Sequence, residues 1–367
     1  MAHVMGRHCV VALAVLALLT AGCSDDNAST TSSSGAPSST AFAVPTPEKT
    51  SYPLTIDNCG QKLTFSKAPS RVVILNGTSV GEVETFIELG LEKSIYGNAQ
   101  SYGVSDDPGM VAKIKALPTG GLTSNKNFDV PAEQLLAAKP DLVVSTWSGG
   151  FEAKSGFATR DQLTTAGIPS YVNPDNCAFG KSDASPAEKK TYAQRSIDSS
   201  YRFMIDLGRI FDVQAKAAEV IRAKSADIAA VEAKVAGLPK KSVLIAYPGM
   251  SMMNSSGLPA VFSGGVYDDI LNAAGARNSF PNAGDDLTST LNAEKLAAAN
   301  VDVLAIGLFT PDEDGPSLAQ ALFDKYPQWS ASKNKKYVIV SDSVYFGPLN
   351  NIAVRKIAQA VHPDAGL

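Results

Sequence analysis

Along most of the chain, short β-branched runs alternate with segments whose apolar residues recur every three or four positions. Residues 52–65 (YPLTIDNCGQKLTF) alternate apolar and polar side chains across Asn58-Cys59-Gly60, the pattern of a small hairpin. Residues 71–75 (RVVIL) form a continuous run, as a strand buried on both faces does. Residues 81–90 follow with Val83, Phe86 and Ile87 at helical spacing and Gly90 as the stop. Residues 130–147 read as helix, break at Pro140 and strand, and residues 158–172 repeat that order. Strands alternating with helices predict an α/β lobe with a mainly parallel sheet.

Beyond residue 186, proline and strand signals vanish up to residue 237. This stretch reads as a helix, a break near 208–212, and a longer helix of roughly 24 residues spanning about 36 Å. A second series follows: strand 242–247 (SVLIAY), a helix ending at Gly275, helix 292–299, strand 302–307 (DVLAIG), helix 316–325, strand 337–342 (YVIVSD) and a last helix. The halves also echo each other. PAEQLLAAKPDLVV from Pro131 aligns with NAEKLAAANVDVLA from Asn292, with Ala132, Glu133, Leu135, Ala137, Ala138 and Asp141 matching Ala293, Glu294, Leu296, Ala298, Ala299 and Asp302. A generic amphipathic helix feeding a strand yields much of this, so by itself it is weak support for two similar lobes.

The N-terminus follows a different pattern. Residues 10–19 (VVALAVLALL) are uninterruptedly apolar. Ten helical residues rise about 15 Å, half of a hydrocarbon core, which suits the apolar region of an export signal and not a membrane span. Leu19-Thr20-Ala21-Gly22-Cys23 resembles a bacterial lipobox, with Thr20 where leucine is commoner. That resemblance implies a diacylglyceryl group on Cys23 and cleavage just before it. The alternative is an ordinary secretory signal with an incidental cysteine. Residues 24–50 are too poor in large apolar groups to offset the entropy of folding. As a flexible tether they would span roughly 30 Å. The expected organisation is a signal peptide (1–22), a lipidated cysteine and tether (23–50), an N-terminal lobe (51–212), a connecting helix (213–237) and a C-terminal lobe (238–367).

Composition narrows the chemistry. About 315 residues remain after signal and tether, enough for two cores of ordinary size. The net charge of −4 becomes −5 once Arg7 leaves, which argues against a nucleic-acid partner. Of three histidines, His3 and His8 lie in the signal. Only His362 is left, so a histidine-based nucleophile or a multi-imidazole metal site is not expected. His362 itself, just before Pro363, reads as a solvated chain end. With Cys9 in the signal and Cys23 as the anchor, Cys59 and Cys177 remain as a pair in an oxidising compartment. This favours a disulfide over two buried thiols. Closing that loop contributes on the order of 5 kcal/mol in the chain-entropy model.

Two α/β lobes joined by one long helix, on an exported chain, resemble the class III solute-binding proteins of ABC importers, which serve ferric siderophores, haem and cobalamin. The resemblance covers nearly all of residues 52–362 and rests on residues 68–75 (APSRVVIL), 84–97 (ETFIELGLEKSIYG), 133–144 (EQLLAAKPDLVV) and 268–278 (DDILNAAGARN). It implies a ligand cleft between the lobes. It also implies one acidic residue per lobe that meets permease arginines, six residues before a helix-ending glycine. Glu84 precedes Gly90 by six and Asp269 precedes Gly275 by six, the aspartate departing from the family's usual glutamate. The competing reading is a carboxylate that only favours a helix dipole.

In open α/β sheets ligands sit beyond the carboxyl ends of the strands. The residues there are Asn76 and Thr78, Trp147 and Phe151, Tyr247 and Met250, Phe309, and Tyr345 and Phe346. Trp147, before Ser148-Gly149-Gly150, is the leading ligand candidate. Arg160 would match an anionic chelate or else start a helix in solvent. The function expected is a monomeric, lipid-anchored extracytoplasmic receptor that takes a ferric siderophore to an ABC importer permease. It would need no cofactor, and no metal ligand from the protein. Alternatives are a haem or cobalamin receptor, with Tyr247 or Tyr345 as haem ligand, or a sensor without a permease. An enzyme on a nitrogenase-like pair of lobes is disfavoured by the lack of histidine and of a cysteine cluster.

Overall fold

The computed structural model describes residues 42–77, 79–100, 104–281, 283–284 and 286–367. The expected signal, Cys23, the first part of the tether and Thr78 lie outside the described residues. Among the described residues, no helix is long and apolar enough to cross a membrane.

The N-terminal lobe opens with the hairpin β1 (Leu54–Asn58) and β2 (Gln61–Phe65), paired Leu54 to Phe65 and Asn58 to Gln61. Then come β3 (Val72–Ile74), α1 (Gly81–Glu88), β4 (Ile95–Asn98), α2 (Pro108–Ala116), α3 (Ala132–Ala138), β5 (Leu142–Ser145), α4 (Arg160–Thr165), β6 (Ser170–Val172) and α5 (Pro186–Ala193). The strands form a parallel sheet in the order β4-β3-β5-β6. Strands β3 and β5 bury both faces, so alternation disappears and the sequence reads as a plain apolar run. Val72 and Ile74 face one core, while Val73 and Leu75 face another with Val130, Leu135 and Val143. Cys59 in the hairpin turn is bonded to Cys177 after β6, with Cα atoms 5.1 Å apart.

Helices α6 (Ile197–Ile210) and α7 (Gln214–Val235) follow. At 22 residues α7 is about 33 Å long. The C-terminal lobe contains β7 (Lys241–Tyr247), β8 (Ala260–Val261), α8 (Gly265–Ala273), β9 (Ala276–Asn278), α9 (Leu287–Thr290), α10 (Ala293–Ala297), β10 (Val303–Gly307), α11 (Gly315–Lys325), α12 (Ser330–Asn334), β11 (Tyr337–Val340) and α13 (Asn350–Val361). Strands β11, β10 and β7 are parallel neighbours, and the far edge of β7 pairs parallel with β9 and antiparallel with β8. The two-lobed, mainly parallel α/β architecture expected from the sequence is thus present.

The internal repeat has a structural basis. Asp141 accepts the amides of Ser70 (2.8 Å) and Arg71 (2.7 Å) at the start of β3. Asp302 accepts the amide of Ser242 (2.9 Å) at the start of β7. Each aspartate of the repeated helix–strand unit therefore satisfies backbone at the head of the neighbouring strand.

One apolar core runs through both lobes along α6 and α7, joining Ile74 and Phe86 to Val220, Ile228, Val243, Val303 and Val354. Two expectations fail around it. Residues 42–50 do not form part of a free tether. Phe42 packs on Tyr201 (ring centroids 5.2 Å), and Thr50 bonds to the Asp212 carboxylate (2.7 Å) and the Arg209 carbonyl (2.7 Å). Phe42 and Val44 cover apolar surface of α6 and α7, which supplies the burial that composition alone did not suggest. His362 is no solvated end either. It is 8% exposed, with Nε2 3.0 Å from the Gly275 carbonyl.

The lobes also exchange carboxylates. Asp106 of the N-terminal lobe accepts the amides of Ser341 (2.8 Å) and Ser343 (3.3 Å) and the Lys356 ammonium (2.6 Å). Asp342 of the C-terminal lobe accepts the amide of Val80 (2.7 Å), at the head of α1. Burial pushes the Asp342 carboxyl from its ordinary 3.8 up to about 8.

Two predictions follow from this architecture. Non-reducing peptide mapping will show the Cys59 and Cys177 peptides joined, and replacing both with serine will lower unfolding free energy by roughly 2–5 kcal/mol in denaturant titrations. Because folding raises the Asp342 pKa, the folded state keeps a proton that the unfolded chain releases. Stability is therefore full in acid and is lost as pH rises toward 8. Thermal melts will show Tm falling from pH 5 to 8. Asp342→Asn, which keeps an oxygen for the Val80 amide, will flatten that slope, and an unchanged slope would count against the assignment.

Candidate ligand-binding cleft

The carboxyl ends of both sheets point toward the contact between the lobes, and a cleft of about 870 Å³, counting its open mouth, lies there. From the C-terminal lobe, Tyr247 closes β7 and lays its ring against Gly307 at the end of β10. A Cβ at Gly307 would stand 2.2 Å from that ring, so only glycine admits the arrangement. The Tyr247 hydroxyl donates to the Ser341 carbonyl (2.8 Å). Its ring begins a series of contacts through Phe262 (5.5 Å), Tyr267 (4.9 Å) and Tyr345 (6.0 Å) to Phe346 (4.8 Å). From the N-terminal lobe, Trp147 packs on Phe179 (4.8 Å), which stacks on Tyr192 (5.7 Å). The two series meet at Arg195, whose guanidinium lies 3.5 Å over Tyr192 and 6.0 Å from Phe346.

Met250, Met253, Leu308 and Phe309 complete a mainly apolar lining that also includes Arg195 and Asp342. Aromatic rings and flexible thioethers fit a bulky ligand by contact area and need few hydrogen bonds to hold it. Desolvation raises the Tyr247 phenol well above its ordinary range, so the ring stays neutral. Among the described residues, no group of three or more His, Cys, Asp or Glu could hold a metal ion.

Of the residues expected at the strand ends, Tyr247, Met250, Phe309 and Tyr345 do line this cleft. The others do not. Asn76 is buried, its side-chain amide donating to the Phe128 carbonyl (2.6 Å). Trp147 stands behind the wall, its indole filling the space that a Cβ at Gly149 or Gly180 would need, and it supports Phe179. Phe151 belongs to the outer core of its lobe, and Phe346 is buried beneath Tyr345. Arg160 is neither solvated nor turned to the cleft. It donates to Asn58, Cys59 and Ser170, and burial lowers it to about 10, so it braces the disulfide-linked turn.

The two carboxylates expected to dock on the permease stand in different surroundings. Glu84 is 1% exposed, and burial raises its pKa well above the carboxylate range, because the segment around Phe346 covers the head of α1. Asp269 is partly buried and accepts the Ile197 amide (2.8 Å), capping α6. Glu84 is thus covered, while Asp269 keeps part of its surface open.

Residues that strand-end reasoning overlooked are Phe179, Tyr192, Arg195, Met253, Phe262, Tyr267, Leu308 and Asp342. Phe179 follows β6 and Leu308 follows β10, so the same rule reaches both with a longer window. Arg195 precedes α6 and Tyr267 lies within α8, places that no local pattern marks as ligand-facing.

The sequence profile of the family described as periplasmic binding protein matches residues 72–343. No curated protein sequence matches the chain. Among solved structures, a periplasmic binding protein from Veillonella parvula is similar at 21% identity and a TM-score of 0.66, covering 84% of this chain and 97% of that one. An ABC-type Fe3+-hydroxamate transport system structure from Saccharomonospora viridis is similar at 22% identity and a TM-score of 0.62, over 85% of this chain and 100% of the other. A periplasmic heme binding protein from Pseudomonas aeruginosa is similar at 20% and 0.57, over 81% and 94%. With the profile match spanning most of both lobes, the chain belongs to the periplasmic binding protein family, whose members are solute-binding proteins and not enzymes.

Proposed function

We propose that this protein is a lipid-anchored extracytoplasmic receptor that binds a ferric siderophore between its lobes and passes it to an ABC importer permease. The observation that carries the reading is the cleft lining, rich in aromatic rings and methionines with one arginine and one buried aspartate. A chelator that already fills the iron coordination shell asks the protein for apolar contact and no metal ligand. With Asp342 pushed up to about 8, the lining holds little negative charge at neutral pH. A mainly apolar lining of this kind suits a chelate of low net charge, such as an iron(III) trihydroxamate. A tris-catecholate, with three negative charges, would leave most of its charge desolvated and unpaired. The likeness to the Fe3+-hydroxamate system from Saccharomonospora viridis supports the same class.

The likeness to a heme binding protein raises haem as the rival ligand. Haem iron would take a tyrosine oxygen here. The Tyr247 hydroxyl is committed to the Ser341 carbonyl, and the Tyr345 hydroxyl lies 3.2 Å from the Asn176 amide. Both arrangements favour the chelate. Anchoring rests on the Leu19–Cys23 sequence, and permease delivery on the family.

Tryptophan and tyrosine fluorescence of the soluble domain will be quenched on titration with an iron(III) trihydroxamate. Phe309→Ala will weaken that binding by about tenfold or more, the loss of one buried ring. Haemin binding with a tyrosinate absorption band, and no response to the chelate, would overturn the siderophore reading. For the anchor, Cys23→Ala will move the protein from the membrane fraction to the medium or block its processing. Wild-type protein without an acyl mass on Cys23 would sink it.

A further inference from the structure

Of the seven methionines, Met1 and Met5 fall in the expected signal, and three of the other five crowd into one short turn. Met110 and Met204 lie in the core that runs through both lobes, 2% and 0% exposed. The turn Pro248–Met253 after β7 carries the rest: Met250 is partly exposed, Met253 is 44% exposed and Met252 is 71% exposed. A buried thioether is shielded from oxidants in solution, and an exposed one is not. Sulfur oxidation is therefore directed to this turn. The Cys59–Cys177 bond suits an oxidising compartment, the setting in which exposed thioethers meet hydroperoxides.

Position makes that chemistry consequential. Met250 and Met253 line the cleft beside Tyr247, Phe262, Leu308 and Phe309, and Met252 is not part of that lining. The backbone of the turn is clamped on both sides. A Cβ at Gly249 would overlap the Glu313 carboxylate, which itself accepts the amides of Phe309 and Thr310. Asn254, directly after Met253, donates its side-chain amide to the carbonyls of Thr288 (2.6 Å) and Leu291 (2.9 Å). A turn held this way keeps Met253 at the wall, so a polar atom placed on its sulfur stays there.

We propose that Met253 is a site of reversible oxidation at which a hydroperoxide lowers the affinity of the cleft for its ligand. The inference rests on the receptor reading above. The sulfur lone pair attacks the peroxide and breaks its O–O bond. One oxygen stays on sulfur as the sulfoxide, while the other leaves as hydroxide and takes up the released proton to become water. Sulfur loses two electrons and the peroxide gains them. A dithiol-dependent sulfoxide reductase runs the reverse, yielding thioether, disulfide and water. The sulfoxide replaces a soft apolar contact with a strong acceptor, which the apolar face of a ligand leaves without a hydrogen bond.

The test compares purified wild type, Met252→Leu and Met253→Leu, each before and after a limiting dose of hydrogen peroxide that is then removed. Peptide mass mapping locates the sulfoxides, fluorescence titration with an iron(III) trihydroxamate gives Kd, and thermal melts report folding. Wild type will be oxidised at Met252 and Met253, with Met110 and Met204 unmodified. Its Kd will rise about tenfold at nearly unchanged Tm, the order expected for one desolvated, unpaired polar group. Met252→Leu will show the same rise. In Met253→Leu, whatever its starting affinity, Kd will be the same after peroxide as before it. Conversion of Met252 with Met253 untouched overturns the inference, as does an oxidised Met253 with unchanged Kd. An equal rise in Met253→Leu, or a fall in Tm that accounts for the lost binding, overturns it too. Untreated wild type that binds none of the iron chelates overturns the receptor reading, and this inference with it.

Discussion

Two aspartates carried by opposite lobes hold the molecule in one shape. Asp106 satisfies amides of Ser341 and Ser343, and Asp342 satisfies the amide of Val80, across sequence separations of 235 residues or more. A buried backbone amide without a partner costs about as much as a lost hydrogen bond. Separating the lobes would leave several such groups unmade at once. The second restraint is α7, packed on α6 and α13 within a core shared by both lobes. Together they favour a cleft that is largely preformed over one assembled by wide hinge closure.

That rigidity gives the cleft its character. The aromatic contacts from Trp147 to Tyr192 belong to one lobe and those from Tyr247 to Phe346 to the other, and they converge only because the lobes are clasped. Arg195 sits where they meet. Asp342 contributes both to the clasp and to the lining, so the carboxyl that ties the lobes also borders the cleft. Its raised pKa follows from burial first, and from the neighbouring Asp106 and Glu82 charges after it.

The repeated helix–strand unit shows how two lobes are built from one plan. Asp141 and Asp302 stand at matching positions of the repeat and cap matching strand heads. Outside that unit, Glu84 in α1 and Asp269 in α8 each stand six residues before a glycine at positive φ. The plan is shared, yet the surroundings differ. The segment around Phe346 lies over the head of α1, whereas α8 abuts the start of α6. Two carboxylates that look equivalent in sequence therefore end in different environments, Glu84 buried and Asp269 partly so.

The sequence by itself determined the order of strands and helices, the two lobes, the linking helix and the strand-end residues Tyr247, Met250, Phe309 and Tyr345. These are legible because local periodicity reports which faces are buried, and because strand ends in a parallel sheet share one side. Strand β4 and helix α2 escaped because Tyr96-Gly97 breaks the apolar run and α2 exposes most of its surface. Only the tertiary structure decided that Arg195, Tyr267 and Asp342 join the site, that Arg160 braces a turn, that residues 42–50 are held against α6 and α7, and that Glu84 is buried. Each of these depends on which distant segment covers a side chain. Burial and partners are set by packing between residues far apart in the chain, and no local pattern carries that information.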